Sequence, residues 1–415
     1  MKKIAILTNF SGYYRAYSLN IVAEKQVKML LDNGYKPKVI VMEGFKPEGA
    51  YALEGVEMCY TPRIKCFNEW KKDEDFDKDV IGIKASLEQH LKDVDVVISH
   101  DLFFQAAMWK YDVVAREIAK NNPKMRWLHW VHSATSADNK KEKFPNSFVV
   151  YPNAYDIPRV ARAFGYEEDE VKVVPHPIDI PDFFGFHPLS TKIVEEKGIL
   201  HSDVICTYPL RLDRGKQPEM CIRAMAELKK MDKSVRMVFI DFHSTGKEKN
   251  EFRQELKDLA IDKGLNDSEV IFTSEQDETL KLESPRQMVK DFMCISNVFI
   301  LPSRSETFSL VAQEAGITGN FMILNFDFPP MRSIYGDSPV YRKFSSNINI
   351  TDGMDGETNT KFGDTDAYFR DMAGYICYML QNNSILSMKT KIRKEFNMKS
   401  VFKKFLEPLM YYATK

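Results

Sequence analysis

Four residues in the C-terminal half of the chain have the types and spacing to hold a phosphate-bearing polyhydroxyl ligand. Arg211 and Lys216 stand five apart in RLDRGK, a polar loop after the apolar run Val204–Tyr208. Fixed cations there suit a diphosphate, above all one that gains negative charge when a bond to it breaks, and removing one such contact typically costs ~10²–10³ in rate. Arg214 is a third cation in the same loop. Glu306 and Glu314 stand eight apart in VFILPSRSETFSLVAQEAGITG, residues 298–319. Carboxylates beside a helix start accept hydroxyl protons, while the helix dipole and its unpaired N–H groups draw an anion.

The elements that position these residues follow from the apolar periodicity. Val298–Leu301 is short enough for a buried parallel strand, and Pro302-Ser303 stops it. From Thr307 the period becomes helical. Phe308, Val311, Ala312 and Ala315 share one face, and Gly316 and Gly319 close the helix. Helical spacing then sets Glu306 and Glu314 on roughly one side, with the loop at the carboxyl end of the strand, where open α/β sheets take ligands. Backbone N–H groups of Thr307, Phe308 and Ser309 would add contacts to phosphate. Strands at 204–208, 236–241, 270–273, 298–301 and 321–325 alternate with helices, five strands of a parallel, doubly wound sheet. The N-terminal half repeats the alternation. Strands at 3–8, 37–42, 93–99, 126–131, 148–151 and 171–175 frame helices, the first with Leu19, Val22, Ala23, Val27, Leu30 and Leu31 on its apolar face. The stretch 175–188, rich in proline and phenylalanine, reads as the approach to a hinge. Asp101, after His100, reads as a helix N-cap.

Pro302-Ser303, Glu306 and Glu314-Ala315 together resemble the E-x7-E signature of retaining glycosyltransferases of the GT-B fold, family four in particular. RLDRGK resembles that family's G-R-L-x-x-x-K element, with Leu210 in place of the glycine. The resemblance implies two Rossmann-like domains facing across a cleft, 1–190 on the acceptor side and 191–385 on the donor side. Helices in 386–415 would cross back to the first domain. It implies that Arg211 and Lys216 clamp the donor diphosphate, that Glu314 binds ribose, and that Glu306 and His132 contact the transferred sugar. Ser274 would lie near the nucleobase and Gly12 near phosphate, although tyrosines follow Gly12 where the family often has a second glycine. Ser133 follows His132 where the family often has aspartate, and His176-Pro177 replaces the Asn-Gly of a P-N-G-V-D turn. By family frequency the donor is a UDP-sugar. Attack from the front face, with the departing phosphate taking the acceptor's proton, would need no enzymatic nucleophile. No cofactor is implied, the nucleotide-sugar being a co-substrate.

Composition sets the outer limits. The chain has 415 residues, enough for two or three domains, and is 44% hydrophobic and 28% charged with formal net charge −1. That balance gives no global pull toward nucleic acid or membrane. Six scattered cysteines without CxxC spacing fit reduced thiols and a cytoplasmic setting. The N-terminus lacks the features of a signal peptide, and no apolar run reaches the ~20 residues of a membrane span. His129 and His132, three apart on a strand, point to opposite faces and make no metal pair, and no DxD motif stands in a suitable loop. No protein partner is evident. The acceptor is open between a saccharide or lipid-linked glycan and modified DNA, as some phage enzymes of related fold glycosylate hydroxymethylated bases. DNA would need a basic rim, for which 63–72, 140–143 and 389–404 are the candidates. Rival readings are an epimerase or phosphorylase of the same fold and a non-catalytic nucleotide-sugar-binding protein.

Overall fold

The apolar runs become two all-parallel sheets in the computed structural model. It describes every residue except 15, 66–70, 104–105, 133–141, 210, 243–245, 305, 307, 345–365 and 413–415. The chain folds as two compact units, the first Met1–Asp179 with Met398–Lys415, the second Ile180–Asn397. The division falls inside the proline-rich stretch.

The first sheet contains β1 (Ile4–Leu7), β2 (Lys38–Met42), β3 (Glu57–Thr61), β4 (Val96–His100), β5 (Arg126–Trp130), β6 (Ser147–Tyr151) and β7 (Val171–Val173), in the order β3-β2-β1-β4-β5-β6-β7. Helices α1 (Ser18–Asp32), α2 (Phe76–Leu91), α3 (Trp109–Asn121) and α4 (Ile157–Phe164) cover its faces. β1 is buried throughout, as a strand with helices on both faces requires. After α1, Gly34 takes the left-handed φ of 81° that glycine tolerates best, and the chain turns into β2.

The second unit opens with α5 (Ile180–Phe184) and α6 (Pro188–Glu196). Its sheet holds β8 (Val204–Tyr208), β9 (Val235–Phe239), β10 (Val270–Phe272), β11 (Val298–Leu301), β12 (Phe321–Asn325) and β13 (Val340–Arg342), ordered β10-β9-β8-β11-β12-β13. Its further helices are α7 (Pro218–Lys230), α8 (Lys247–Asp262), α9 (Arg286–Ile295), α10 (Leu310–Ile317), α11 (Pro329–Tyr335), α12 (Asp366–Asn382) and α13 (Ser384–Glu395). The five strands read from the sequence are joined by β13, a three-residue edge strand that is only partly buried and so lacks an apolar run. In both sheets the strand order runs outward from the first strand in one direction and then in the other. That places topological switch points between β1 and β4 and between β8 and β11, where doubly wound folds open a crevice at the strands' carboxyl ends.

The chain ends in α14 (Met398–Val401), a π-helical turn at Phe402–Leu406 and α15 (Glu407–Tyr411). Pro408 has no N–H for the carbonyl four residues back, and the ladder widens just ahead of it: Glu407 N–H bonds Phe402 O instead. The wide turn keeps Val401, Phe402, Leu406, Leu409 and Met410 on one buried face, against Ile4, Ile6, Leu30 and Val39 of the first unit. Cys59, Cys206, Cys221, Cys294 and Cys377 are unpaired thiols; Cys66 lies outside the described residues.

Candidate functional site

The loops after β8 and β11 flank the second switch point, and two of the four residues singled out by type meet there. Lys216 Nζ donates to Glu306 Oε1 at 2.6 Å, with side chains 22% and 13% exposed. The loops are also tied through the backbone, Arg304 N–H donating to Gly215 O at 3.0 Å. Buried Tyr208, at the end of β8, donates its hydroxyl to Lys216 O. Burial raises that hydroxyl's pKa well above its ordinary value, so it stays a donor. Gln217, fully buried with φ 51°, then hands the chain to Pro218 and α7. Lys216 is thus held at both its backbone and its ammonium.

Helix α10 begins at Leu310, not at Thr307 as the periodicity suggests. Ser309 sits in the left-handed region at φ 65° and ψ 81°, which no helical residue adopts. Ala312 and Ala315 are buried as expected, while Phe308 is 43% exposed and outside the helix. Glu306 therefore lies in the loop, and helical spacing does not relate it to Glu314. The loop is pinned by Tyr335, from α11, whose hydroxyl lies 3.1 Å from Phe308 O and 3.0 Å from Ser309 O. In trans peptides the N–H points opposite the C=O, so the N–H groups of Ser309 and Leu310 turn away from Tyr335. The Ser309 hydroxyl belongs to a residue 6% exposed and, among the described residues, has no hydrogen-bond partner. Thr307 lies outside the described residues.

Glu314 occupies a different setting. Arg286 Nη2 donates to its Oε1 at 2.8 Å, and the pair lines an open groove of about 580 Å³ with Gln287, Lys290, Met293, Ile317 and Thr318. Lys216 and Glu306 do not line this groove. Arg211 is well exposed, with Nε 3.7 Å from Asp213 Oδ2. Arg214 is committed elsewhere: it forks onto both carboxylate oxygens of Glu255 at 2.8 Å and lies over the Phe252 ring. Ser274 serves the fold. Its N–H and hydroxyl donate to buried Asp241 at 3.0 and 2.6 Å, and Arg253 donates to its oxygen at 3.1 Å.

In the first unit His132 follows β5, half-buried, with its ring bonded to His100 at the end of β4 (Nε2 to Nδ1, 3.0 Å). His100 is fully buried and bonds Gln26 of α1 through its other nitrogen at 3.0 Å. Asp101 does not cap α3, which Met108 precedes. With φ 46° it turns back, and its carboxylate accepts the His132 backbone N–H at 2.9 Å. Burial, with His132 and His176 nearby, holds His100 well below the ordinary histidine range; burial and His176 lower His132 to about 3. Both rings are neutral near pH 7. The exposed ring of His176 lies parallel to His132, 5.4 Å away, in a turn whose Pro177 carbonyl and Asp179 carboxylate are held by Lys25 and Lys28. Gly12 leaves room for Tyr14, whose hydroxyl an added Cβ would meet at 3.1 Å and whose ring at 3.2 Å. His129 is separate, bonded to Ser99 and packed on Phe103 and Phe144.

Several cations of the candidate basic rims make internal contacts. In 389–404, Lys389 donates to Thr318 O, Arg393 is 3% exposed and bonds the carbonyls of Ile199 and Leu200, Lys394 pairs with Asp203 and Lys403 with Glu407. Lys143 pairs with Glu170 and Lys72 with Asp77; residues 66–70 and 140–141 lie outside the described residues. Among the described residues no cluster of three or more His, Cys, Asp or Glu could hold a metal, and no helix is long and apolar enough to cross a membrane.

Tyr335, Arg286, His100 and Gln26 were not signalled by sequence motifs. Their partners are distant in sequence, and only the fold brings them together.

Residues 190–337, inside the second unit, match the family model described as Glycosyl transferases group 1. No curated protein sequence matches the chain. Among solved structures, the chain is similar to Anabaena Alr3699/HepE in complex with UDP, at 13% identity over 99% of this chain and 100% of that one, with a TM-score of 0.35. Sucrose-phosphate synthase from Thermosynechococcus elongatus gives 14%, 99% and 98%, and 0.34. WaaG, a glycosyltransferase involved in lipopolysaccharide biosynthesis, gives 12%, 96% and 99%, and 0.32. At scores this low no residue role follows from these likenesses.

Proposed function

We propose that the protein is a retaining, metal-independent glycosyltransferase that moves a sugar from a nucleoside-diphosphate sugar, with uridine diphosphate the nucleotide to test first, to an acceptor hydroxyl. The observation that carries this reading is the Lys216–Glu306 ion pair. It joins the loops after β8 and β11 at a switch point, within the segment that matches the glycosyltransferase family. A cation and a carboxylate 2.6 Å apart are the two groups that a sugar–diphosphate junction needs side by side. Lys216, with Arg211 from the same loop, meets the charge that develops on the leaving diphosphate. Glu306 accepts hydrogen bonds from the transferred sugar, and the Ser309 and Leu310 N–H groups add donors for phosphate. Glu314 takes the ribose hydroxyls, and His132 presents an acceptor to a sugar hydroxyl. The departing phosphate oxygen removes the acceptor's proton as the new glycosidic bond forms on the same face.

The acceptor we assign is a saccharide or lipid-linked glycan. The pairing of Lys394 with Asp203 and of Lys403 with Glu407 in one candidate rim gives less support to DNA. Salt-dependent retention on hydroxymethylated DNA would reverse that choice.

A thermal-shift panel of nucleotides and nucleotide-sugars, run once in chelator and once with magnesium on the parent, Lys216→Ala and Glu314→Ala, tests the donor site. A ligand at 100 times its dissociation constant adds ~2.7 kcal/mol of stability. Selective stabilisation by one nucleoside diphosphate, weakened in both variants, is expected. Stabilisation by none overturns the transferase reading, and stabilisation that needs a divalent cation overturns metal independence.

A further inference from the structure

We infer that Gln26 and His100 form a two-residue relay that fixes the tautomer of His132, making it a hydrogen-bond acceptor at Nδ1. All three belong to the first unit. Gln26 and His100 are 1% and 0% exposed, so what they bond to is set by the fold and not by water.

The assignment follows from counting protons along the chain of contacts. Gln26 presents its carbonyl oxygen, Oε1, to His100 Nε2 at 3.0 Å, and a carbonyl oxygen only accepts. His100 therefore carries its hydrogen on Nε2. As a neutral ring it then has a bare Nδ1, and that atom lies 3.0 Å from His132 Nε2. A bare nitrogen needs a donor, so His132 carries its hydrogen on Nε2 and leaves Nδ1 unprotonated. The ring geometry agrees. The two centroids are 5.2 Å apart and the planes only 23° from parallel. An N–H···N bond that lies in the plane of both imidazoles gives this spacing, because the lone pair of an unprotonated ring nitrogen lies in the ring plane.

The backbone of His132 is fixed as well, by the Asp101 carboxylate on its N–H. Both the position of the ring and its proton are thus set from the β4 side. The groups facing the pair are Gln26 from α1, Asp101 from the β4 turn, Trp130 from β5 and His176 from the turn after β7, with Lys25 of α1 acting on His176. Among them Asp101 Oδ1 accepts the backbone N–H of His132. His100 and Gln26 are positioning residues. The catalytic meaning of the relay rests on the reading of His132 as a sugar contact: a ring with a bare Nδ1 accepts from a hydroxyl and cannot donate to one.

The test reads the imidazoles themselves. Long-range ¹H–¹⁵N correlation of histidine-labelled, full-length protein near pH 7 distinguishes the two neutral tautomers. The expected result is His132 in the Nε2–H form only, unchanged from pH 6 to 8. Gln26→Glu places a carboxylate on His100 and favours a proton on both its nitrogens. The relay then runs backwards, and His132 should switch to the Nδ1–H form. His100→Asn puts an amide oxygen where Nδ1 stood and should keep the Nε2–H form. His100→Leu should give a mixture of the two. His132 in the Nδ1–H form in the parent protein, or a tautomer indifferent to both Gln26→Glu and His100→Leu, overturns the proposal. If a variant fails to fold, the parent spectrum still decides. Because no nucleotide is needed, failure of the relay and failure of the transferase reading are separately visible.

Discussion

Replacing Glu306 by glutamine gives opposite signs for stability and for nucleotide affinity if the Lys216–Glu306 pair is a ligand-binding element closed on itself. The charged atoms are 2.6 Å apart, and the side chains are 22% and 13% exposed. With an effective dielectric constant of about 20, unit charges at that separation attract by roughly 6 kcal/mol before desolvation is counted. Desolvation offsets most of it. Exposed pairs retain ~0.2–1 kcal/mol, and breaking a fully buried pair loses ~3–5 kcal/mol. The observed exposure lies between these limits, so Glu306→Gln should destabilise the second unit by about 1–3 kcal/mol. For a unit of this size that lowers the melting temperature by about 2–12 °C. A bound diphosphate meets the opposite balance, because it no longer competes with a carboxylate for Lys216. UDP should bind the variant as tightly as the parent, or up to about tenfold tighter, ~1.4 kcal/mol. UDP-glucose, used as a probe, should lose part of whatever advantage it holds over UDP, since glutamine offers the sugar one neutral acceptor oxygen in place of a charged carboxylate. Calorimetric titration of both ligands, with Lys216→Met alongside, measures this. If Glu306→Gln weakens UDP as much as Lys216→Met does, the carboxylate supports the loop and does not compete for the cation, and the reasoning fails.

Two further outcomes follow from the same geometry. Tyr335→Phe removes the hydroxyl that holds the Phe308 and Ser309 carbonyls, so urea unfolding should show a loss of about 1–2 kcal/mol with weaker UDP binding; unchanged binding would mean that the loop keeps its shape without it. The first unit should be acid-sensitive, because burial holds His100 well below the ordinary ~6.5 and His132 near 3, while the unfolded chain protonates at the ordinary value. Stability from these rings is fully present above pH ~6.5 and is lost as the pH falls toward ~3, at up to ~1.4 kcal/mol per pH unit for each histidine. All four tryptophans (70, 109, 127 and 130) lie in the first unit's sequence, so the urea midpoint of tryptophan emission at pH 7.5 and pH 5 reads this unit alone. A midpoint that does not move would contradict it.

The α/β class and the parallel alternation were legible because buried parallel strands leave continuous apolar runs, such as Ile4–Leu7 and Val298–Leu301, and because these runs alternate with helical periods. The strands without such runs were not. Glu57–Thr61 buries only Cys59 and Thr61, and Val340–Arg342 is an edge strand. At the candidate site, residue types pointed to Lys216 and Glu306, but nothing local says that they touch across 90 positions. The start of α10 was misplaced because the apolar spacing continues through Phe308. A left-handed φ at a serine has no sequence signal, and it is tertiary contact with Tyr335 that holds it. Asp101 was misassigned for a similar reason. Its type suits a cap, and only the pairing of β4 with β5 shows that the N–H it caps belongs to His132.

The placement of backbone strain links these observations. Among the described residues five non-glycine positions take φ in the left-handed region: Asp101, Asn146, Gln217, Asp232 and Ser309. Asn146 and Asp232 sit in plain turns ahead of β6 and β9, and asparagine and aspartate visit this region at little cost. The other three follow β4, β8 and β11, strands that border the two switch points. At Gln217 and Ser309 such strain, of order 1–3 kcal/mol per residue and smaller at Asp101, persists only where surrounding contacts over-determine the backbone. Those contacts are the ones described above: the Asp101 carboxylate on His132, buried Gln217 fixed between Lys216 and Pro218 with its amide on Phe344 O, and the Ser309 carbonyl on Tyr335. Ordinary loops of the same length have no reason to hold glutamine or serine in this conformation. The strain and the polar residues that could meet a ligand therefore share one cause in both units. At a switch point the neighbouring loops diverge, and side chains from elsewhere in the unit must hold the backbone that the sheet itself does not.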